Sequence, residues 1–526
     1  MVSSVKTIPT LAFLLVPLLA ACGGHEAVLL GPQHAEIPVR DTSPKSAPRP
    51  PHETPPLSHA SKASPFPKVV RMRLPNGLEL LTTEAHTLPI VQIRVLVKAG
   101  MGYAANSAGT PGAAEITAQM LKDGGTRTMT SARLLDRVES LGANIDVEVG
   151  CDAATFGMAV ATEHLGEALA ILGELVSAPR FDEGELKKLK ARESDEAEDN
   201  ARANGTWTAT RVLFRELFSP TNPYATYALV PSEIAKVTPQ AIRDFHRRFY
   251  VPKNATIILA GDIDAHAGKL VESAFGAWRG GEPPKIDFPP AIPVKGRRVV
   301  VAHRPRSAQS DIFVVNLIPE RKTAAWPQIR VANQVLGGGV ASRLFNDVRE
   351  QRALAYSARS QVIELSHGQQ PLVAYAGTDT LKTGLAVEGL LENLEKLATG
   401  GVTTSEAETA RRYISDIFAV RMETVGSIAD MIALAESLGL PDGYWDAYRA
   451  AVRATTAEQA SAMAAKVVTA SSVLIVVAGD ADLVAAPLSH FADVVIVDPE
   501  QEFKTLRTVP MNPRAPLEVD SKPKKK

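Results

Sequence analysis

Cysteine and aromatic residues are scarce in this chain of 526 residues. Only Cys22 and Cys151 occur, and Phe, Trp and Tyr together make up 5% of the sequence. If Cys22 is modified, as argued below, no disulfide can form within the chain even in an oxidising compartment. Stability must then come from packing, and a hydrophobic content of 45% predicts a core of alanine, valine and leucine.

An excess of charge of either sign is also absent. The 57 basic and 58 acidic residues leave a formal net charge of -1. This balance does not favour nucleic acid or another strongly charged partner. The chain is too long to fold around one ordinary hydrophobic core, so its length predicts two or three domains.

Motifs of several enzyme classes are missing. Gly-x-Ser-x-Gly, the nucleophile motif of many serine hydrolases, does not occur. The glycines at 337–339 are not followed by Gly-Lys-Ser/Thr, so they predict a helix end and a turn rather than a phosphate loop. Four histidines are far apart in the sequence and do not have the spacing of metal ligands. Each is predicted to lie on the surface or to pack in the interior: His86, His164, His303 and His490.

The N-terminal segment has the features of a secretory signal. Its apolar run, residues 8–21, is too short to span a bilayer as a stable helix. The small residues before Cys22 resemble a bacterial lipobox, which implies cleavage at that point and acylation of Cys22. By the same resemblance, Gly23 favours the outer over the inner membrane. We therefore expect a lipid-anchored protein of the bacterial envelope, on the periplasmic face of the outer membrane. An ordinary signal peptide or a short anchor is the alternative.

The rest of the chain contains an internal repeat. Residues 254–264 match residues 472–482 at an offset of 218, and similar lead-ins begin at Thr238 and Thr456. Two copies of one domain are therefore predicted. The predicted boundaries are a signal segment at 1–22, a proline-rich disordered linker at 23–67, domains at 68–280 and 296–500 joined by a linker at 281–295, and a basic tail at 501–526.

Each copy mixes two kinds of hydrophobic pattern. Residues 91–97 and 312–318 alternate as strands do, whereas residues 131–141 and 381–397 have helical spacing. Strands and helices do not alternate strictly along the chain. This favours an α+β class, with an antiparallel sheet packed by helices in each domain, over a doubly wound parallel sheet.

Several motifs in order resemble the pitrilysin and insulysin superfamily, the inverzincin metallopeptidases. They are the Asn76-Gly-Leu opening, the segment from Gly109 to Thr126, the segment Ser342-Arg-Leu-Phe and the repeat length. The resemblance covers about residues 68–500. It implies two tandem domains of the mitochondrial-processing-peptidase/LuxS-like metallohydrolase type, and a bacterial two-domain lipoprotein member.

The zinc motif of that superfamily is degenerate here. Its first His falls on Glu115, its Glu base on Ala118 and its second His on Gln119. The third ligand falls on Glu196, within a charge-dense segment typical of a solvated helix face. Two carboxylates and an amide suit zinc poorly, and Ala118 cannot accept a proton from water. We therefore expect no metal and no catalytic residue in this chain alone.

The second repeat retains another part of the resemblance. Residues 337–357 resemble the substrate-binding segment, in which an Arg and a Tyr seven residues later reach the zinc site of a facing domain; here they are Arg349 and Tyr356. A guanidinium can grip substrate carbonyls and a phenol can donate to an oxyanion. The alternative is that Arg349 pairs with Asp347 or Glu350 while Tyr356 packs in the core.

These features together predict a non-catalytic, substrate-binding subunit of a heteromeric zinc-dependent peptidase. Zinc would belong to a partner chain of the insulinase type, and unfolded peptides would be bound, with strand addition at residues 154–161. The rival hypothesis is a non-enzymatic scaffold that binds peptides or envelope proteins. A third is a self-sufficient peptidase with an unusual site, and the partner could also be a second copy of this chain.

Overall fold

The computed structural model describes residues 65–104 and 110–519. Cys22, Gly109, almost all of the predicted linker at 23–67 and the basic residues at 521–526 lie outside these ranges. Within the described ranges, every helix is too short or too polar to cross a lipid bilayer.

Two mixed sheets organise the described residues. The first has six strands in the order β1-β2-β6-β3-β5-β4 and the second has seven in the order β13-β12-β7-β11-β8-β10-β9. The strands of the first sheet are β1 (Val70–Arg73), β2 (Glu79–Glu84), β3 (Ile90–Val97), β4 (Asp146–Val149), β5 (Ala154–Ala161) and β6 (Ala255–Gly261). The strands of the second sheet are β7 (Arg297–His303), β8 (Gln309–Ile318), β9 (Ala355–Val362), β10 (Gln370–Asp379), β11 (Val473–Gly479), β12 (Val494–Asp498) and β13 (Lys504–Val509).

Helices flank both sheets. Those of the first repeat are α1 (Ala113–Asp123), α2 (Ser131–Ser140), α3 (Leu165–Ser177), α4 (Glu183–Ala203), α5 (Gly205–Leu217), α6 (Pro231–Lys236), α7 (Pro239–Phe249) and α8 (Ala267–Phe275). Those of the second repeat are α9 (Trp326–Gly337), α10 (Thr383–Gly400), α11 (Thr404–Arg421), α12 (Val425–Ser437), α13 (Tyr444–Ala454), α14 (Ala457–Val467) and α15 (Ala481–Leu488). The α+β class is confirmed.

The predicted repeat is visible at residue level in helices α7 and α14. Thr238 accepts a hydrogen bond from the backbone N–H of Ala241 at 3.1 Å, and Thr456 accepts one from Gln459 at 3.2 Å. Each threonine thus satisfies one of the unpaired N–H groups of the first helical turn. The strands that follow, β6 and β11, have seven residues each and are buried throughout, which explains their continuous apolar sequences.

The sheets are not wholly antiparallel, contrary to that part of the prediction. β2 runs parallel to β6, and β7 runs parallel to both β11 and β12, whereas the other pairs are antiparallel. Helical segments connect these distant strands, and such crossovers are what parallel pairing requires.

The two repeats exchange helices. The apolar side of α5, from the first repeat, packs on the second sheet through Val212 and Leu213 against Phe313 and Val476. In return, α12 from the second repeat covers the first sheet, where its apolar residues Ile428, Ala429 and Ile432 join Leu81, Leu96 and Ile258. One face of each sheet is therefore buried by the other repeat.

The second domain continues past residue 500, contrary to the predicted basic tail at 501–526. Strand β13 pairs with β12 from Lys504 to Val509. Beyond it, the N–H of Asn512 donates to the carbonyl of Ser489, and Ala515 is buried. The backbone of residues up to 515 is thus part of the domain.

Candidate functional site

Helix α1 carries the positions of the degenerate motif. It begins after Gly112, whose φ of 83° favours glycine, and Glu115 lies in its first turn. The Oε2 atom of Glu115 is buried and has no hydrogen-bond partner. Ala118 is buried in the core of the first domain, while Gln119 is half-buried.

Glu115 is a perturbed acid. Burial raises the pKa of its carboxyl to about 7, and the negative charges of Glu233 and Glu193 act in the same direction. The guanidinium of Arg211 opposes them. A carboxyl with this pKa is largely protonated in weakly acidic solution.

An ion pair lies beside this carboxyl. Arg211, on α5, is buried, contacts Glu233 of α6 at 3.0 Å and donates to the carbonyl of Tyr227 at 3.1 Å. Glu193, on α4, also has a raised pKa because of burial and the neighbouring Glu196. The surroundings of Glu115 are therefore a network of fixed charges from three helices.

The residues present do not fit a zinc site. Glu196, at the third-ligand position, is exposed on α4. In the part of the chain that the structure describes, the one group of three or more side chains able to converge on a metal is His303, Asp480 and Asp482, with ligand atoms within 4.8 Å of one another. None of these belongs to α1 or α4.

That group is already engaged in local structure. His303 Nδ1 accepts from the N–H of Ala481 at 3.1 Å, Asp480 accepts from the N–H of Arg306 at 2.8 Å, and Asp482 pairs with Arg507 at 2.6 Å. His303 had no metal-ligand spacing in the sequence. These contacts join the ends of β7 and β11 to helix α15.

Arg349 and Tyr356 lie side by side on the second domain. Arg349 belongs to a π-helical segment, Phe345–Gln351, and Tyr356 lies near the start of strand β9. The guanidinium carbon of Arg349 is 5.2 Å from the ring centroid of Tyr356 and 4.5 Å from that of Phe345. The Tyr356 side chain is 84% exposed, so it does not pack in the core as the alternative interpretation required.

The alternative interpretation also predicted that Arg349 pairs with Asp347 or Glu350, and one of these contacts is present. Arg349 Nε lies 3.3 Å from a carboxylate oxygen of Glu350, one of its two expected partners. Asp347 instead accepts from Arg352 and Asn393. Because the Arg349 side chain remains 36% exposed, a single neighbouring carboxylate does not occupy its whole hydrogen-bonding fork.

The segment at 154–161 is not a free sheet edge along its length. It forms β5, which pairs with β3 on one side and with β4 on the other. The pairing with β4 reaches only from Ala154 to Gly157. The predicted strand addition along the whole of residues 154–161 does not agree with this pairing, since on that side β5 lacks a partner only beyond Gly157.

Two family models match the chain. The model described as insulinase, peptidase family M16, matches residues 80–221, and the model described as peptidase M16 inactive domain matches residues 236–414. Together they span more than half of the chain. The chain belongs to the insulinase (M16) superfamily.

Relatives of this M16 chain carry two kinds of name. In Helicobacter pylori, "Zinc protease PqqE" is 21% identical over 70% of this chain and 83% of its own, and "Non-peptidase homolog YmxG" is 24% identical over 68% and 82%. The crystal structure of a peptidase M16 inactive domain from Pseudomonas fluorescens has a TM-score of 0.72 at 23% identity, covering 78% of this chain and 98% of that one. This likeness confirms the fold.

Proposed function

We propose that this M16 chain is the non-catalytic, substrate-binding subunit of a heteromeric zinc-dependent peptidase in the bacterial envelope. A partner chain of the insulinase type would hold the zinc, and this chain would supply Arg349 and Tyr356. The proposal includes attachment to the outer membrane through acylated Cys22, which lies outside the described residues.

The observation that carries the proposal is an asymmetry between the two domains. In the first, Glu115 is half-buried, its Oε2 atom is buried without a hydrogen-bond partner, and Ala118 offers no base. In the second, Arg349 and Tyr356 present a cation and a phenol together at the surface. An exposed tyrosine beside an exposed arginine has little value for packing, since large aromatic side chains stabilise a fold by being buried.

The two side chains offer complementary chemistry to a peptide. The guanidinium of Arg349 has several N–H donors in a fixed plane and can bind backbone carbonyl oxygens. The hydroxyl of Tyr356 can donate to the oxyanion that forms when a peptide carbonyl is attacked. Peptides in extended conformation would pair with the free outer side of residues 158–161 in β5.

The relatives add support of a different kind. One organism has both a relative named as a zinc protease and a relative named as a non-peptidase homologue. A pair of chains, one with zinc and one without, is what the proposal requires. The second of these names also favours the rival function, a scaffold that binds peptides without cutting them.

The test is peptide hydrolysis by the chain captured with its native companions from host membranes, compared with the chain expressed alone. We expect EDTA-sensitive activity in the capture and none from the isolated chain. Arg349→Ala should lower kcat/KM of the captured assembly by about 100-fold, the size of effect seen on removing a group that stabilises the transition state. Arg412→Ala is the control, because Arg412 is an exposed arginine of the same domain that pairs with Glu408 on α11.

The outcomes separate the hypotheses. Full activity of the Arg349→Ala assembly would contradict the proposed role. Silence in both preparations, with peptide binding that EDTA does not change, would favour the scaffold. Hydrolysis by the isolated chain would instead indicate a self-sufficient peptidase.

A further inference from the structure

The segment that carries Arg349 has an uncommon backbone. Residues Phe345–Gln351 form a π-helical turn, in which the N–H of Arg352 donates to the carbonyl of Asp347, five residues earlier, at 2.9 Å. Single π turns are rare and widen the helix at one point. Arg349 lies within this turn, so the direction of its side chain depends on the π-helical backbone.

One side of this turn is fixed to the domain. Val348 is fully buried, and Asp347 accepts from Arg352 Nε at 2.8 Å and from the amide of Asn393, on α10, at 2.6 Å. The backbone that carries Arg349 therefore has a rigid base. The guanidinium itself lies at the end of a long side chain, beyond the reach of these contacts.

Phe345 supports the guanidinium through its ring, in addition to the contact of Arg349 Nε with Glu350 at 3.3 Å. It lies four residues before Arg349, and its ring centroid is 4.5 Å from the guanidinium carbon. Tyr356 borders the same guanidinium at 5.2 Å. A planar cation on an aromatic face is held by electrostatic attraction to the ring as well as by contact. The Arg349 guanidinium thus lies next to two aromatic rings, those of Phe345 and Tyr356.

We propose that Phe345 is a positioning residue, whose ring holds the Arg349 guanidinium beside Tyr356 so that both meet the substrate in one fixed arrangement. This inference rests on the proposed function of Arg349. Without the ring, the guanidinium samples more orientations, and binding the transition state must first restrict them. The loss should therefore appear in kcat more than in KM.

The test compares aromatic and aliphatic side chains at position 345 in the captured assembly. Phe345→Leu keeps apolar bulk but removes the ring, and we expect kcat to fall about tenfold with KM within about twofold of the parent. Phe345→Trp should restore most of kcat, because it restores an aromatic face. The double variant Phe345→Leu, Arg349→Ala should be no slower than Arg349→Ala, since Phe345 acts through Arg349.

A measurement on the full chain alone provides an independent readout. The side-chain Nε–H resonance of Arg349 should lose the part of its ring-current shift that comes from Phe345, together with its order, in Phe345→Leu but keep both in Phe345→Trp. Unchanged kcat in Phe345→Leu, with the activity of Arg349→Ala still strongly reduced, would overturn the positioning role and leave the proposed function intact. Equal losses in the Leu and Trp variants, or a double variant slower than Arg349→Ala, would also overturn it. Full activity of Arg349→Ala would remove the proposed function itself.

Discussion

At the scale of single residues, the most unusual feature of the first domain is the carboxyl of Glu115, whose pKa is raised by burial. Glu115 is where the superfamily places a histidine ligand, and its Oε2 has no partner. Arg211 is close enough to act on its charge but is committed to Glu233 and to backbone carbonyls. Ionisation of Glu115 in the folded chain should therefore cost stability.

This cost predicts a pH dependence. The pKa of Glu115 is raised from 4.5 to about 7 on folding, so between these values the folded chain holds a proton that the unfolded chain releases. The contribution of Glu115 to stability is then greatest below pH 4.5, falls as pH rises toward 7 and stays at its lower value above pH 7. Glu115→Gln removes this penalty and should raise the free energy of unfolding by about 2 kcal/mol at pH 8, with little change at pH 4.

Denaturant unfolding at both pH values, using the intrinsic tryptophans, would measure the difference. Glu198→Gln is the matched control, because Glu198 is an exposed glutamate of the same helix, α4. An equal effect of Glu115→Gln at pH 4 and pH 8 would show that the carboxyl ionises as easily in the folded chain as in the unfolded one.

At the scale of elements, the exchange of α5 and α12 is the main organising feature. Each helix leaves its own repeat to cover a sheet of the other. The junction between α4 and α5 is held from the second domain as well, because Arg304 donates to the carbonyl of Ala203 at 2.8 Å and Thr206 donates to Asp311 at 3.2 Å. A cation thus lies at the carboxyl end of one helix and an anion at the amino end of the next, as helix dipoles favour.

The exchange predicts that damage in one repeat is felt in the other. Ile432 of α12 is 4% exposed and packs on the first sheet, so Ile432→Ala should destabilise the chain by about 2–4 kcal/mol. Hydrogen exchange measured by mass spectrometry should speed up first in β3 and β6. The mirror variant Val212→Ala in α5 should instead loosen β8 and β11. If each variant affected only the sheet of its own repeat, the exchange would have no energetic role.

At the scale of the whole molecule, the two domains share buried polar contacts in addition to helices. Asp152 of the first domain accepts from Tyr224 at 2.6 Å and from the N–H of Ser366, in the second domain, at 2.9 Å. At its N-terminal end the described chain also touches the second domain, where the N–H of Phe66 donates to Asp446 at 3.0 Å. Polar contacts thus join the two domains in addition to the exchanged helices.

Attachment through Cys22 is tested on the whole chain. Cys22→Ser should leave folding and any partner interaction intact but move the protein from the membrane to the soluble periplasmic fraction, because the acyl groups would be lost. Fractionation with immunoblotting measures this, and Cys151→Ser is the control. Retention of Cys22→Ser on the membrane would contradict lipid anchoring at this cysteine.

The sequence predicted those parts of the fold that depend on local signals. The threonine caps and continuous apolar strands of the repeat identified α7, β6 and their counterparts, since both signals lie within a few residues. The exchange of α5 and α12 was not predictable, because an apolar helix face shows that it is buried but not against which sheet. Strand β13 was missed because five of its six residues are exposed and its sequence has no buried face to detect.

The candidate site shows the same division. The family resemblance selected Glu115, Ala118, Gln119, Arg349 and Tyr356, but only the folded chain shows that the carboxyl of Glu115 lies near Glu193 and Glu233, contributed by two other helices. The resemblance placed the third ligand on Glu196. This residue lies about one helical turn after Glu193 on α4, and it is exposed. Phe345 was part of a motif in the sequence, yet its role follows only from its distance to Arg349.

The exchanged helices also set the order in which this protein can mature. The face of the first sheet that bears Leu96 and Ile258 is complete once β6 has been made, but its cover, α12, ends only at Ser437. At about 5–20 residues per second, synthesis leaves that apolar face bare for roughly ten seconds or longer. A nascent first domain is thus an unfinished product that needs shielding, and export before folding would spare the cell that exposure.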